Sequence, residues 1–595
     1  MVGLSPLLIP FGLFLPGFFV ARRLGHSLWW ASSFVISLLI LFQSVFWLGI
    51  FRVPITVWTV GMCLAAVSGA GAWWARRQLG PMKGDSAPRW ALPDRILIVS
   101  SGLVGACLLV RCAASPLLGY DTRFRWDFLA ERILALRTFH FYPPITPADF
   151  RTYFYPDGIP PLVSFSDWWI YASSGGHHPA LICVFAAAQF ACTLAFAYGA
   201  ASALISRRAG VLATALLAGC PLYFNSVVIE QETGLTALSI AAMTYFLATT
   251  RKPDDAGGVV SAGLAAALCP LAREYGWIAP VAGVIALLWK KQPRKQTLIF
   301  AAVTATVAGP WYLRNLVLSG NPFFSLRFGP FPVNPVHDGI LQLYDSILGV
   351  QSWTSDNWAD IIFFLLPLAP LQLLAGIPGA FRGLRERGYL CVIAALAVAV
   401  WVRSVGYTAA GAETSTRVLS PMLVALSITA AGVLERFRRS AVWIALAVIL
   451  CQGWTIAQGS VSPVKLSELS FEQWKQYAFK PLPTPPEFQI RGQLAEAAPR
   501  GTRMLSDGAL MHAALIDKGI EIVPVWSPEV RFLFSSPAEE SERRLRSLGI
   551  ETVVYYPKSM NTRYLASASP FYASLPQRWR VVADVPDVFT ILRPQ

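Results

Sequence analysis

Seven clusters of arginine and lysine punctuate this chain, and each falls at the end of an apolar run long enough to cross a bilayer. They are Arg22-Arg23; Arg76-Arg77 with Lys83, Arg89 and Arg95; Arg207-Arg208; Arg251-Lys252; Lys290-Lys291 with Arg294 and Lys295; Arg382, Arg385 and Arg387; and Arg436, Arg438 and Arg439. The apolar runs, roughly 20 residues each, lie near 4–21, 28–50, 54–74, 95–115, 179–204, 210–228, 233–250, 257–272, 276–290, 297–313, 358–381, 388–405, 418–435 and 440–457. That pattern predicts about fourteen spans. Short cytoplasmic loops accumulate Lys and Arg. The clusters occupy every second loop, which places those loops in the cytoplasm. The N-terminus and everything after Gly459 are then expected outside.

Composition agrees. Of 595 residues, 55% are hydrophobic and 14% charged, where a soluble domain carries about 25% charged residues. A formal net charge of +15 could point to nucleic acid. The basic residues instead sit between apolar runs, where they encode orientation, so no nucleic-acid partner is expected. The nine cysteines lie almost wholly inside apolar runs and form no CxxC pair. They read as small buried hydrophobes rather than metal ligands or a disulfide framework. No basic region precedes Leu4 and no clear cleavage site follows it, so the first run reads as a retained helix.

The fold class expected is a mainly α polytopic membrane protein with a small C-terminal α/β outer domain. Residues 1–94 would form N-terminal transmembrane helices with a basic cytoplasmic loop. Residues 95–457 would form the main transmembrane domain, with outer loops 116–178 and 314–357, and residues 458–595 the outer domain. The tail opens with the linker Lys480-Pro481-Leu482-Pro483-Thr484-Pro485-Pro486. Strands are expected at 502–506, 521–525, 552–556, 581–585 and 589–592, with helices at 510–517 and 536–548. Strands alternating with helices predict a mainly parallel sheet. The tail has no cysteine, phosphate loop or plausible triad. It reads as an accessory domain that covers a catalytic face or binds an acceptor.

The outer side carries charges that orientation does not explain. The stretch Gly119-Tyr120-Asp121-Thr122-Arg123-Phe124-Arg125-Trp126-Asp127 follows directly on the fourth apolar run. Loop 116–178 also holds Glu131, Asp149, Asp157 and Asp167. A short outer turn has Glu230 and Glu232, another Arg273-Glu274, a third begins Arg314-Asn315, and a later one ends with Arg417. Any single one could be a side chain snorkelling to the interface. As a set they suggest chemistry at the membrane surface.

Asp121-Thr122-Arg123-Phe124, followed by Ala130-Glu131-Arg132-Ile133-Leu134, resembles the aspartate-containing first-loop motif of lipid-dependent glycosyltransferases of the GT-C superfamily. Protein O-mannosyltransferases and the aminoarabinose transferase of lipid A are members. Tyr153-Phe154-Tyr155-Pro156-Asp157-Gly158-Ile159-Pro160-Pro161-Leu162, Arg314-Asn315 with Gly320-Asn321-Pro322, and Arg417-Val418-Leu419-Ser420-Pro421 are similar to further segments of that superfamily. Together they cover roughly residues 95–435. Thr122 stands where the family often has a second acid, an alternative alignment puts Trp126-Asp127 on the family's aspartate, and three helices precede the usual first core helix.

The resemblance implies transfer of a sugar from a polyprenyl-phosphate donor to a lipid, glycan or protein acceptor on the extracytoplasmic face, in a bacterial inner (plasma) membrane. Such a transfer needs a base for the acceptor hydroxyl and positive charge for the departing phosphate. A carboxylate beside low-dielectric lipid is the stronger base. Asp121 is the first candidate for base and Asp127 the alternative, and Glu232 positions the acceptor, shares the base role, or merely satisfies its helix dipole. Arg273, with Glu274 beside it, Arg314 and Arg417 are candidates for the phosphate, since arginine matches its oxygens bidentately. Tyr153 and Tyr155 could stack on a sugar or isoprenoid. No cofactor and no metal site are assigned. Some superfamily members use a divalent cation, and Mg or Mn held by Asp121 or Asp127 with Glu232 is the arrangement that would fit. His177-His178 lacks any HExxH spacing. Two other classes compete: a polysaccharide ligase or polymerase, and a lipid-linked-sugar transporter or flippase. A transporter would show internal repeats and midplane charges, and no convincing repeat is found.

Overall fold

A computed structural model describes residues 5–76, 91–250, 255–408, 411–458, 484–497 and 500–595. Arg77, Lys83, Arg89, Arg251, Lys252 and the linker residues Lys480-Pro481-Leu482-Pro483 lie outside these. The described chain is that of an integral membrane protein. Among the described residues five helices are long and apolar enough to cross: Trp29–Ile50, Val57–Ala75, Leu92–Ala114, Pro179–Leu204 and Gly411–Phe437. Two pairs qualify only together. Arg207–Ala218 meets Pro221–Val228 at 64°, and Ser355–Leu368 meets Gln372–Arg382 at 99°.

Fourteen full spans are therefore not confirmed. The runs 210–228 and 358–381 break close to Pro221 and Pro367, where the missing N–H and the ring interrupt the helix. Ala256–Ala272 and Tyr389–Val405 are apolar but have only 17 residues each. Such a helix rises about 25 Å, against about 30 Å of hydrocarbon.

The two ends of the bundle differ. The Arg208 guanidinium donates to the Arg438 carbonyl, and Ser206 is hydrogen-bonded to Glu435, so two basic loops meet at one end. The acidic stretch and the tail lie at the other. There the expected polar loop 116–178 is largely helical: Tyr120–Phe124, Trp126–Leu136, Pro147–Thr152 and Leu162–Ser174. Leu162–Ser174 is buried over most of its length because Trp168, Trp169 and Tyr171 fill the space between neighbouring helices. It packs on Trp126–Leu136 and on the N-terminal helices Ser5–Arg23 and Trp29–Ile50, and so joins the extra helices to the core.

The tail carries five strands, β1 Arg503–Ser506, β2 Glu521–Pro524, β3 Ile550–Tyr555, β4 Trp579–Val585 and β5 Phe589–Pro594, in the order β2-β1-β3-β5-β4. The expected mainly parallel sheet is corrected to a mixed one. β1 runs parallel to β2 and β3, while β5 is antiparallel to β3 and β4. The turn between β4 and β5 is too short for a parallel crossover, so the two form a hairpin. The tail's apolar core is continuous with Phe150, Phe154, Val336 and Ile340 of the segments 116–178 and 314–357. The Trp526 indole donates to the Phe154 carbonyl at 2.8 Å, and the Asn334 amide to the Trp526 carbonyl at 2.9 Å. The tail is thereby seated on the segments that carry Phe154 and Asn334. Cys451 is exposed on its helix, unlike the buried cysteines expected from the apolar runs.

Candidate active site

Asp121 lies on the single helical turn Tyr120–Phe124, too short to hold itself. Thr122 anchors it. Its buried hydroxyl donates to the Ile229 carbonyl at 2.8 Å and accepts from the Gln231 amide at 3.0 Å, each bond contributing about 1 kcal/mol. The Glu230 carboxylate adds a bond from the Leu117 N–H at 2.7 Å. A side chain on Gly119 would meet the Gln231 amide at 2.2 Å, so glycine is required where the turn approaches. These contacts explain Thr122 in place of a second acid. A carboxylate in that pocket would face the Ile229 carbonyl, which offers no proton.

Two arginines reach Asp121. Arg125 Nη1 lies 3.2 Å from its Oδ2, and Arg417 Nη2 lies 3.8 Å from the same atom. Arg125 is fixed from several sides. Its Nε lies 2.9 Å from Asp157 Oδ2, and its guanidinium sits 4.2 Å from the Tyr155 ring centroid. Asp157 Oδ1 accepts the hydroxyls of Tyr142 and Tyr153, both at 3.1 Å. Burial raises the Asp157 pKa, and Arg125, Arg273 and the two tyrosines oppose that rise without cancelling it. Removing one partner of such a buried pair costs about 3–5 kcal/mol.

Arg273 follows the helix Ala256–Ala272 in an extended conformation. Its Nε lies 3.3 Å from Glu274 Oε2, and its Nη1 lies 3.8 Å from Glu232 Oε1 without a hydrogen bond. Glu232 Oε1 also faces the Tyr275 hydroxyl at 3.4 Å, while its Oε2 is buried and unbonded. Arg417 is placed by its backbone, whose carbonyl accepts from Ser226 at 3.2 Å.

These groups line two adjoining cavities. The larger, about 850 Å³, holds Asp121, Arg125, Tyr155, Arg273 and Arg417. The smaller, about 250 Å³, shares Arg125, Tyr155, Arg273 and Arg417 and adds Asp157, Glu232 and Glu274. Tyr153 is buried behind them, holding Asp157.

Two predicted residues lie elsewhere. Arg314 belongs to the helix Arg294–Ser319; it donates to the Tyr142 carbonyl at 2.7 Å and lies over Phe139 and Trp311. Asp127 faces away from both cavities and is bonded to the Tyr171 hydroxyl and, at 2.9 Å, to His177 Nε2. Burial lowers the His177 pKa, but the bond to Asp127 and the charges of Asp127 and Glu131 outweigh it, and the net shift is upward. Ligand atoms of Asp127, Glu131 and His177 lie within 4.8 Å of one another, a set able to hold a metal ion. It differs from the expected pairing with Glu232.

Arg125 and Asp157 fall inside the first-loop motifs, yet no local pattern marks them out. The tail contributes Asp507, Tyr556 and Asn561 to the larger cavity, and nothing in their sequence context signals it.

Residues 159–311 match the family model described as dolichyl-phosphate-mannose-protein mannosyltransferase. The matched stretch includes Glu232, Arg273 and Glu274 and excludes Asp121 and Arg417. ArnT from Cupriavidus metallidurans in the apo state is similar with a TM-score of 0.52 at 14% identity, covering 84% of this chain and 98% of that one. Bound to undecaprenyl phosphate, the same protein gives 0.50 at 15% identity with equal coverage. The chain has a GT-C-type fold. The oligosaccharyltransferase of Archaeoglobus fulgidus in complex with Zn and sulfate gives 0.51 at 13% identity, covering 84% and 73%. Among curated proteins no match is found. At these identities the likeness is one of architecture.

Proposed function

We propose that this protein is a membrane glycosyltransferase that moves a sugar from a polyprenyl phosphate to an acceptor hydroxyl on the extracytoplasmic face. The observation that carries the reading is Asp121 Oδ2, shared between Arg125 at 3.2 Å and Arg417 at 3.8 Å on the wall of a cavity of about 850 Å³. The Asp121 side chain is 30% exposed, so an incoming group can reach it. The acceptor oxygen attacks the anomeric carbon, the bond to the phosphate oxygen breaks, and the proton passes to Asp121. The departing phosphate gains negative charge in the transition state. Arginines already in place stabilise that charge without reorganising.

Arg417 and Arg273 are assigned to the phosphate. Arg125, pinned by Asp157 and Tyr155, is assigned to orienting Asp121. Glu232 Oε2, buried and unbonded, is assigned to positioning the acceptor. The undecaprenyl phosphate of the ArnT complex and the dolichyl phosphate named by the family model support the donor class. The N-terminus and the tail are placed outside, in a bacterial inner membrane. Residues 1–94, 95–457 and 458–595 are taken as the three divisions of the chain.

The test is incubation of purified protein in lipid nanodiscs with a panel of polyprenyl-phosphate sugars. Release of free polyprenyl phosphate by wild type, absent in Asp121→Asn that still binds donor, is the expected result. Donor turnover by both forms would sink Asp121 as the base, and turnover by neither would sink the donor class.

A further inference from the structure

In the tail sheet, β1 and β3 are parallel neighbours whose connections leave in opposite directions. From β1 the chain runs to β2 on one flank, and from β3 it runs to β4 and β5 on the other. A crevice opens outside the C-terminal ends of two such strands, and open α/β sheets bind ligands there. Here that crevice opens into the large cavity. Asp507 and Gly508 follow β1 directly, Tyr556 follows β3, and Ser559 and Asn561 lie a few residues on; all five line the cavity with Asp121 and Arg417.

The crevice is built rather than incidental. Asp507 is 7% exposed, takes a hydrogen bond from Asn561, and has no ion pair among the described residues. The Asn561 carbonyl oxygen in turn accepts from the Tyr344 hydroxyl at 2.6 Å, so the amide is oriented toward Asp507. A side chain on Gly508 would meet the Tyr556 hydroxyl at 2.3 Å, so the Tyr556 ring lies close over the backbone. The cavity thus has two chemically distinct ends. The membrane end is arginine, suited to a phosphate. The tail end is a carboxylate, an amide and tyrosine rings, which would repel an anion and suit hydroxyls on a ring with apolar faces.

We propose that this crevice is the acceptor subsite, and that Asp507 accepts hydrogen bonds there from the hydroxyls of an uncharged carbohydrate acceptor. The inference rests on the function proposed above. A donor anchored in the bilayer presents its phosphate to Arg273 and Arg417 and its sugar to Asp121. The position beyond, reached from the water side and walled by the tail, is left for the acceptor.

The test measures two rates on full-length protein with one polyprenyl-phosphate sugar: slow transfer to water, and transfer to neutral disaccharides. Asp507→Asn should raise the acceptor KM by about tenfold or more, the scale of a lost charged hydrogen bond, and leave donor Kd and transfer to water unchanged. Asn561→Ala should do the same more weakly, and it reports if Asp507→Asn fails to fold. An unchanged acceptor KM in both variants overturns the subsite. Equal loss of transfer to water also overturns it, because Asp507 would then be reading the donor. Failure of wild type to turn over any donor refutes the proposed function instead, and is visible before any variant is made.

Discussion

Arg417 Nη2 lies 3.8 Å from Asp121 Oδ2, although the two residues are almost 300 positions apart in the chain. At that separation the pair is a charge contact rather than a tight hydrogen bond. In the proposed reaction Arg417 would trade Asp121 for a phosphate oxygen. The exchange would leave Arg125, at 3.2 Å, as the charge partner of Asp121 Oδ2.

Arg417→Ala should lower kcat more than it raises the donor KM, because the phosphate gains charge only as the bond breaks. Arg417→Lys keeps the charge but loses the fork and should fall between Ala and wild type. Arg314→Lys is the contrast. Its guanidinium serves the Tyr142 carbonyl and two aromatic rings, so thermal stability should fall while the kcat of the folded fraction holds. A reversed pattern in steady-state kinetics would move the phosphate site to Arg314.

Asp121→Asn should cost about a hundredfold or more in transfer, as loss of a general base does. Asp127→Asn should leave transfer near wild type. Its cost falls on stability, since it removes a buried charge bonded to Tyr171 and His177. Single-turnover assays paired with thermal melts separate the two effects. A dead but stable Asp127→Asn would restore the alternative alignment.

How far the site could be read from sequence depended on what each residue needed from the fold. Asp121 and Arg417 stood out because outer-face charges carry no orientation signal. Arg125 did not, because a charge four residues after Asp121 reads as an ordinary helical pair. Only the tertiary fold brings Asp157 under it. The tail strands were visible from β-branched runs and glycine stops, but the contribution of Asp507 depends on how the tail seats on Phe154 and Asn334, which no local pattern encodes. The count of fourteen spans is not confirmed, since hydropathy averages across breaks such as Gly219-Cys220-Pro221.

Orientation has its own check. Cysteines introduced near 340 and 520 should react with an impermeant thiol reagent in intact cells, and those near 292 and 385 should not. A cysteine at Val581, exposed on β4, should react as well. Labelling confined to 292 and 385 would invert the protein and remove the extracytoplasmic reading.

The last prediction concerns pH. Burial raises the Asp507 carboxyl to about 6, with the hydrogen bond from Asn561 opposing the rise. The neighbours that sense its charge are Tyr120, Tyr344, Tyr555, Tyr556 and Tyr572, none of them charged near neutrality. The folded pKa lies above the unfolded value of 3.8. The linked stability is therefore fully present below that value and is lost as pH rises through about 6. Asp507→Asn cannot ionise, so its melting temperature relative to wild type should climb across the same window and level off above it. Acceptor binding should move the opposite way. An ionised Asp507 accepts more hydroxyls than a protonated one, so the wild-type acceptor KM should fall as pH rises through about 6 and stay flat in Asp507→Asn. Ionisation would then trade stability for acceptor affinity at one carboxylate. Parallel pH profiles for wild type and Asp507→Asn, in both melting and KM, would place the titrating group elsewhere.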